Sequence, residues 1–463
     1  VDEVSSGDIA SQSAALAWLG VLRAPISGSL RTSFDEEGRL GLLNATLRIG
    51  EGVLQPSDAT RPIPFSEART YFSYQPRDNL LRFGEVSVTS AWGSATGEAT
   101  AILEEGTGGL PSALQGQVTL GGISANPNEI FDTPRTLTSA DLDFHMALDP
   151  FVLRIGRLTL VDEATRMRLN GRVKAAPEGW DISLMGGIDE IGPERLLAFW
   201  PASVVTKTRT WLAENVLGGK LRNIAVSLQA RPDGSRPDLY FSAEVADASL
   251  RFMRHMPPVT GASGLVQLED NRLVVSVDQG RVEAEEGGVL EAAGTVFTIP
   301  DLRIRPAPAH VALNAAGPIK AALWLLNRDP LSVMDKAGKD IDLAEGRLRA
   351  SGDINFPLKR KLPPGEVLFA VNGQVRDVRS TTIVPNKRLA SQVLDFAVDN
   401  GQLRIAGAGT LEGVPFDGAW QTPLGPGAAE QGSRVEADVT LSNAFLDAFS
   451  IALPPGSLSG RGT

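Results

Sequence analysis

Apolar and polar residues alternate one for one along most of the chain, the period of a strand with one oily face and one wet face. Leu43, Ala45, Leu47 and Ile49 alternate with Asn44, Thr46 and Arg48, and Val86 and Val88 flank Ser87. Leu142, Phe144 and Met146 alternate with Asp141, Asp143 and His145. Leu158 and Leu160, then Leu273, Val275 and Val277, then Leu403 and Ile405, sit in segments that loosely repeat one unit of strand, short turn and strand. Further on, Leu348, Ala350, Gly352, Ile354 and Phe356 alternate with polar partners, as do Val435, Ala437, Val439 and Leu441. Asp35-Glu36-Glu37-Gly38, Gly106-Thr107-Gly108-Gly109 and Pro177-Glu178-Gly179 mark turns.

Two stretches break the pattern. Trp200 to Gly219 reads as a helix, with Pro201 in the first turn and Gly218-Gly219 as a left-handed stop. Its apolar stripe runs through Val204, Val205, Thr208, Trp211, Leu212 and Val216, against the β-branched run Val204-Val205-Thr206, which lowers helix propensity. Trp200, Val204, Trp211 and Leu212 are the candidates for packing over a sheet or for gating a channel. Immediately afterwards Leu221, Ile224, Val226 and Leu228 restore the period of two. The second break opens at Gly317-Pro318, carries a stripe of Ile319, Ala322, Leu323 and Leu326, and runs through a turn begun by Pro330 to Gly338. Ala14 to Leu22 reads as a short packed helix. The expected organisation is therefore an amino-terminal β-meander over 1–191, a helical insert over 192–219, a continuing meander over 220–316, a second insert over 317–342 and a carboxy-terminal meander over 343–463.

Each apolar strand face must meet something other than water. A sandwich or barrel would hide it against a second sheet or against itself. Aromatic residues make up only 6% of the chain, however, which is thin for a large two-layer core. Strands stacked side by side at roughly 4.8 Å each predict instead a mainly β fold, an elongated, curled, groove-like antiparallel sheet on the order of 100 Å long, interrupted by two short helical inserts. Of these positions Leu43, Leu47, Ile49, Val86, Val88, Leu142, Phe144, Met146, Leu158, Leu160, Leu273, Val275, Val277, Leu348, Ile354, Phe356, Leu403, Ile405, Val439 and Leu441, together with Ile224, Val226 and Leu228, are the candidates to line its groove.

Composition narrows the chemistry. The 463 residues carry a net charge of −11 with signs interspersed, and the longest basic run is Lys359-Arg360-Lys361, which argues against nucleic-acid binding. Cysteine is absent, so disulfides, thiol nucleophiles and Cys-ligated metals are excluded together. His145, His255 and His310 lie far apart and read as surface residues. The carboxylates at Asp35-Glu36-Glu37, Asp162-Glu163 and Glu283-Ala284-Glu285-Glu286 sit in turn or strand-end contexts without calcium-loop spacing. Gly407-Ala408-Gly409 lies inside a strand and lacks the third glycine and helix of a dinucleotide cradle. There is no Ser-centred elbow, HExxH or P-loop. Neither catalysis nor a cofactor nor a metal is expected, and no apolar run approaches the ~18 to 20 residues that span a bilayer.

Two blocks carry a family resemblance. FWPASVVTKTRTWLAENVLGGKLRNIAVSL, from Phe199 to Leu228, resembles the central region of the YhdP and AsmA-like envelope proteins. GPIKAALWLLNRDPLSVMDKAGKDIDLAEGRLRASGDINFPL, from Gly317 to Leu358, is similar to a second hallmark of that family. The resemblance implies a bridge-like lipid transfer protein related in architecture to TamB and AsmA, with a periplasmic body anchored in the inner membrane by an upstream helix. Its curled sheet would carry phospholipid acyl chains between inner and outer membrane, with envelope proteins as possible partners. Two other readings stand beside it: a β-rich envelope scaffold or adhesin with a self-packed core, and a β-solenoid enzyme acting on polysaccharide, which would need paired carboxylates on one strand face.

Overall fold

The computed structural model of the chain describes every residue except 107–109, 127, 128, 130, 164, 204, 426–430, 450, 455, 457, 458 and 463. The 107–109 part of the predicted Gly106 turn, and Val204 of the predicted helical stripe, lie outside the described residues. The fold is mainly β, with sequential strands paired antiparallel. It divides into two compact units, Val1–Ala213 with Leu221–Ala243, and Glu214–Lys220 with Glu244–Thr463.

In the first unit the meander runs through Pro25–Arg31, Leu43–Ile49, Glu67–Gln75, Leu80–Ser90, Gly93–Glu105, Pro111–Ala125, Arg135–Ala147, Val152–Asp162, Thr165–Ala176 and Gly179–Ile191. Gly179–Ile191 then pairs with the strand that follows the first insert, Ile188 opposite Ile224 and Leu184 opposite Leu228. Strand direction alternates, so successive connections fall at opposite ends of the strands. The segment before Pro25 and the insert after Ile191 both fall at the same end. Helix α1 (Ser6–Ala10) and the 3₁₀ helix Ala14–Val21 fold back from that end, burying Ile9, Ala15, Leu16 and Leu19. Ala14 to Leu22 is thus a packed helix as expected, but a 3₁₀ one.

The first insert differs from its sequence reading. Two helices occupy it: α2 (Pro193–Phe199), with Gly192 at the N-cap position, and α3 (Thr206–Asn215). Trp200 is extended at the end of α2, and Val205 takes a positive φ of 47° between the helices. Three β-branched residues in succession cost more than Pro201 gains, and the stronger start lies upstream, where Pro193 takes the first turn with Glu194 at the positive end of the helix dipole. Gly218 and Gly219 do not stop a helix, since a strand already runs over Val216–Ala230. Gly219, at φ 113°, lets that strand approach Ala248, whose Cα would stand 2.5 Å from an added Cβ.

In the second unit the meander continues through Val259–Glu269, Arg272–Ala284, Gly288–Glu291, Val296–Ile299, Pro308–Pro318, Glu345–Pro357, Leu368–Ser380, Leu389–Asp399, Gln402–Leu411, Val414–Pro423 and Arg434–Leu441. Its insert holds α4 (Ile319–Leu326) and α5 (Val333–Ala337), the latter closed by Gly338 in the left-handed region. A further helix, α6 (Asn443–Ala448), follows the last long strand and starts under a Ser442 cap. Both helical segments leave from the same end of their strands. Among the described residues no helix is long and apolar enough to cross a membrane.

Candidate functional site

Cross-strand register turns the alternating pattern into transverse rows, because residues directly opposite share a face. In the first unit one row runs Ala45, Phe72, Phe83, Ala99, Val118, Leu142, Leu158, Leu169, Gly186 and Val226. Beside it lie Leu47, Thr70, Val86, Gly97, Leu120, Ala140, Leu160, Met167, Ile188 and Ile224. On the other side are Leu43, Tyr74, Leu81, Ala101, Gly116, Phe144, Ile155, Gly171, Leu184 and Leu228. One face is therefore apolar from strand to strand. Gly116 marks a place where neighbouring backbones crowd this face: an added Cβ would stand 2.2 Å from the Thr100 carbonyl oxygen.

The opposite face is polar and paired. Gln117 Nε2 donates to Asp143 Oδ1 at 3.0 Å, Arg157 meets the same carboxylate at 2.9 Å, and Arg222 Nε donates to Glu190 Oε2 at 2.9 Å. Arg168 pairs with Asp189. Hydrogen bonding from Arg69, with Arg48 close by, holds the Glu67 carboxyl below its ordinary range. Exposed pairs of this kind contribute little stability each, but they mark which face is wet. His145 follows the polar reading, 3.1 Å from Glu104 Oε1, and His310 lies 2.7 Å from Asp353 Oδ1.

The apolar face is not in one state throughout. At the amino-terminal strands protein fills it. Leu43, Leu47 and Ile49 form one buried cluster with Leu16, Leu19 and Phe72, and Phe144 and Met146 pack against its margin. Leu47 is 2% exposed. These three expected groove residues therefore belong to a closed core, because Leu16 and Leu19 of the 3₁₀ helix over Ala14–Val21 cover this face. Beyond that cluster Leu142, Leu158, Leu160, Leu169 and Leu184 are only partly buried. Val88 faces Ala95 and Ala68 across its strand and is 39% exposed.

At Ile224 the face is covered again. Leu196 and Phe199 of α2 pack on Ile188, Ile191, Ile224 and Val226. Arg195 anchors α2 to the turn beside it, pairing with Asp162 and, at 3.2 Å, with Glu163, while its guanidinium lies 5.7 Å from the Phe199 ring centre. Arg209 ties α3 back, donating to the Trp200 and Leu197 carbonyls at 3.0 and 3.2 Å. Of the expected packing residues, Trp211 is 44% exposed and Leu212 half-buried, and α3 buries none of its described residues. Leu196 and Phe199 escaped sequence reading because the Gly192-Pro193-Glu194 start signal precedes the more conspicuous Trp-Pro pair.

The second unit repeats the arrangement. Val266, Val275, Phe297, Val311, Ile354 and Phe369 form one row. Ala315, Ala350, Gly373, Phe396, Ile405, Trp420 and Val435 form another. Leu273 sits opposite Ile299, Val277 opposite Gly264, Phe356 opposite Ala309, Leu403 opposite Val398, and Val439 opposite Phe416, with Leu273, Val277, Phe356, Leu403 and Val439 partly buried; Leu441 closes the series against Gly460. Helix α4 lies on this face. Ile319 and Leu323 cover Leu348, Val375, Leu394 and Ile405, and Ala321, Ala322 and Trp324 pack on Ala284 and Leu290. Leu326, expected in the stripe, is 42% exposed instead. Lys320 bridges Asp342 at 2.7 Å and Glu286 at 3.3 Å, and those carboxylates raise its pKa. A pocket lined by Trp324 and Ile341 together with Glu286, Arg328, Asp335 and Lys339 carries charges of both signs.

No group of three or more His, Asp or Glu side chains among the described residues is placed to hold a metal ion. Each unit thus carries a partly open apolar face with protein covering part of it, and in the first unit the reverse side is wet. A family model described as YhdP protein matches residues 110–452, well over half of the chain. No curated protein and no solved structure matches it.

Proposed function

This chain belongs to the YhdP family, and on that premise we propose that it is the periplasmic segment of a bridge-like lipid transfer protein, carrying phospholipid between inner and outer membrane along its apolar face. The observation that supports this reading is the row through Val118, Leu142, Leu158 and Leu169, apolar on every strand yet only partly buried. An acyl chain laid across such a row gains about 0.8 kcal/mol per buried methylene. A wall of Leu, Val, Ile and Ala offers no polar group to fix one position, so the chain is held without being locked. Headgroups stay outside the oily face, because burying a charge without a partner costs far more than a methylene returns. No bond is made or broken in this scheme.

Mass spectrometry under native conditions, on protein purified without detergent, tests the proposal. Phospholipid masses should accompany the chain and be displaced by added diacyl lipid. Lipid-free protein that also fails to take up added phospholipid would favour a self-packed scaffold.

A further inference from the structure

The basic run Lys359-Arg360-Lys361 has no part in the apolar face. It lies in the connection between strands Glu345–Pro357 and Leu368–Ser380, at the end of the strands opposite α4. The register Pro308 opposite Pro357, with the Leu358 N–H donating to the Ala307 carbonyl at 2.8 Å, sets this connection beside the turn over 300–307. That turn adds Arg303 and Arg305. Arg303 is committed to Asp301 at 2.8 Å, and Lys359 pairs with Glu366. Arg305 hydrogen-bonds to the Leu302 and Ile304 carbonyls, and Arg305, Arg360 and Lys361 are exposed. The two connections are net positive in a chain of net charge −11. Asp270 and Asp399 in the neighbouring turns bound the patch, and Asp399 is taken up by the Gly401 and Gln402 N–H groups.

Oily side chains stand among these cations. Ile304 is 50% exposed, Leu358 41% and Leu368 59%. A basic cluster interleaved with exposed apolar side chains at strand ends fits a surface that is anionic outside and oily just beneath. A nucleic acid or an acidic protein would use the charge but leave the isoleucine and leucines wet. We propose that the paired connections over 300–307 and 358–367 form a docking surface for an anionic phospholipid bilayer.

The test is flotation of the full chain with vesicles of phosphatidylcholine containing phosphatidylglycerol, against vesicles of phosphatidylcholine alone. Binding should require phosphatidylglycerol and fade as salt rises toward 0.5 M. Each basic side chain near such a surface is worth about fivefold in partitioning, so Arg360→Gln with Lys361→Gln should weaken it about 25-fold. Ile304→Ser should weaken it further while leaving the circular dichroism unchanged. Equal flotation by the double variant, or none by the native chain, would overturn the proposal, and the latter would point to a soluble acidic partner. Lipid carried by the double variant in native mass spectrometry reports on the apolar face separately, so the two readings fail independently.

Discussion

Replacing Leu158 by aspartate separates an open apolar face from an ordinary core. Leu158 lies between Leu142 and Leu169 in its row and is partly buried. Full burial of a leucine stabilises by about 1.5–3 kcal/mol, so losing a partly covered one costs on the order of 1 kcal/mol, or roughly 2–4 °C in melting temperature for a unit of this size. With the face empty, the new carboxylate keeps its water. An acyl chain lying over it must strip that water, at several kcal/mol, which offsets the gain from about five methylenes. Since every 1.4 kcal/mol is tenfold, occupancy at this row should fall by more than about a hundredfold. A photo-crosslinker in place of Leu169 reads the occupancy through its yield of lipid adducts, and thermal unfolding of the same sample reads stability. Leu47→Asp supplies the contrast, because a charge buried in the closed cluster should unfold the amino-terminal strands outright. Undiminished adducts in Leu158→Asp, or an unfolding as severe as that of Leu47→Asp, would refute the reasoning.

Two further outcomes follow from the geometry. Gly116→Ala places a Cβ 2.2 Å from the Thr100 carbonyl oxygen and should destabilise by about 1–3 kcal/mol in denaturant unfolding, whereas Gly121→Ala, with nothing within 4 Å, should be neutral or slightly stabilising. Hydrogen bonds from the Arg303 side chain and N–H hold Asp301 at about 2, below the unfolded carboxylate value. Its contribution to the 300–307 turn is therefore complete above about pH 4 and lost as pH falls through about 2; amide exchange in that turn should accelerate over this window in the native chain and show no such step in Asp301→Asn.

The chain's own pattern determined that it would be strand after strand with one oily side, because a period of two is a local property that pairing only has to respect. Leu142 and Leu158 share the apolar face of the first unit, and Ile354 and Ile405 that of the second, for that single reason. Pattern alone did not determine what covers that side. Leu43, Leu47 and Leu142 read alike, yet the first two are sealed beneath Leu16 and Leu19 while the third is partly open. The difference comes from a segment that follows a different period and reaches the face from the end of the strands. The first insert shows the same limit: the Trp-Pro pair outshone Gly192-Pro193, and only packing decided that Leu196 and Phe199 would be the cover. Cross-strand neighbours such as Leu142 and Leu158 lie a hairpin apart, while the covers come from segments outside the meander, so coverage is settled by tertiary contact, and with it which oily side chains remain for a guest.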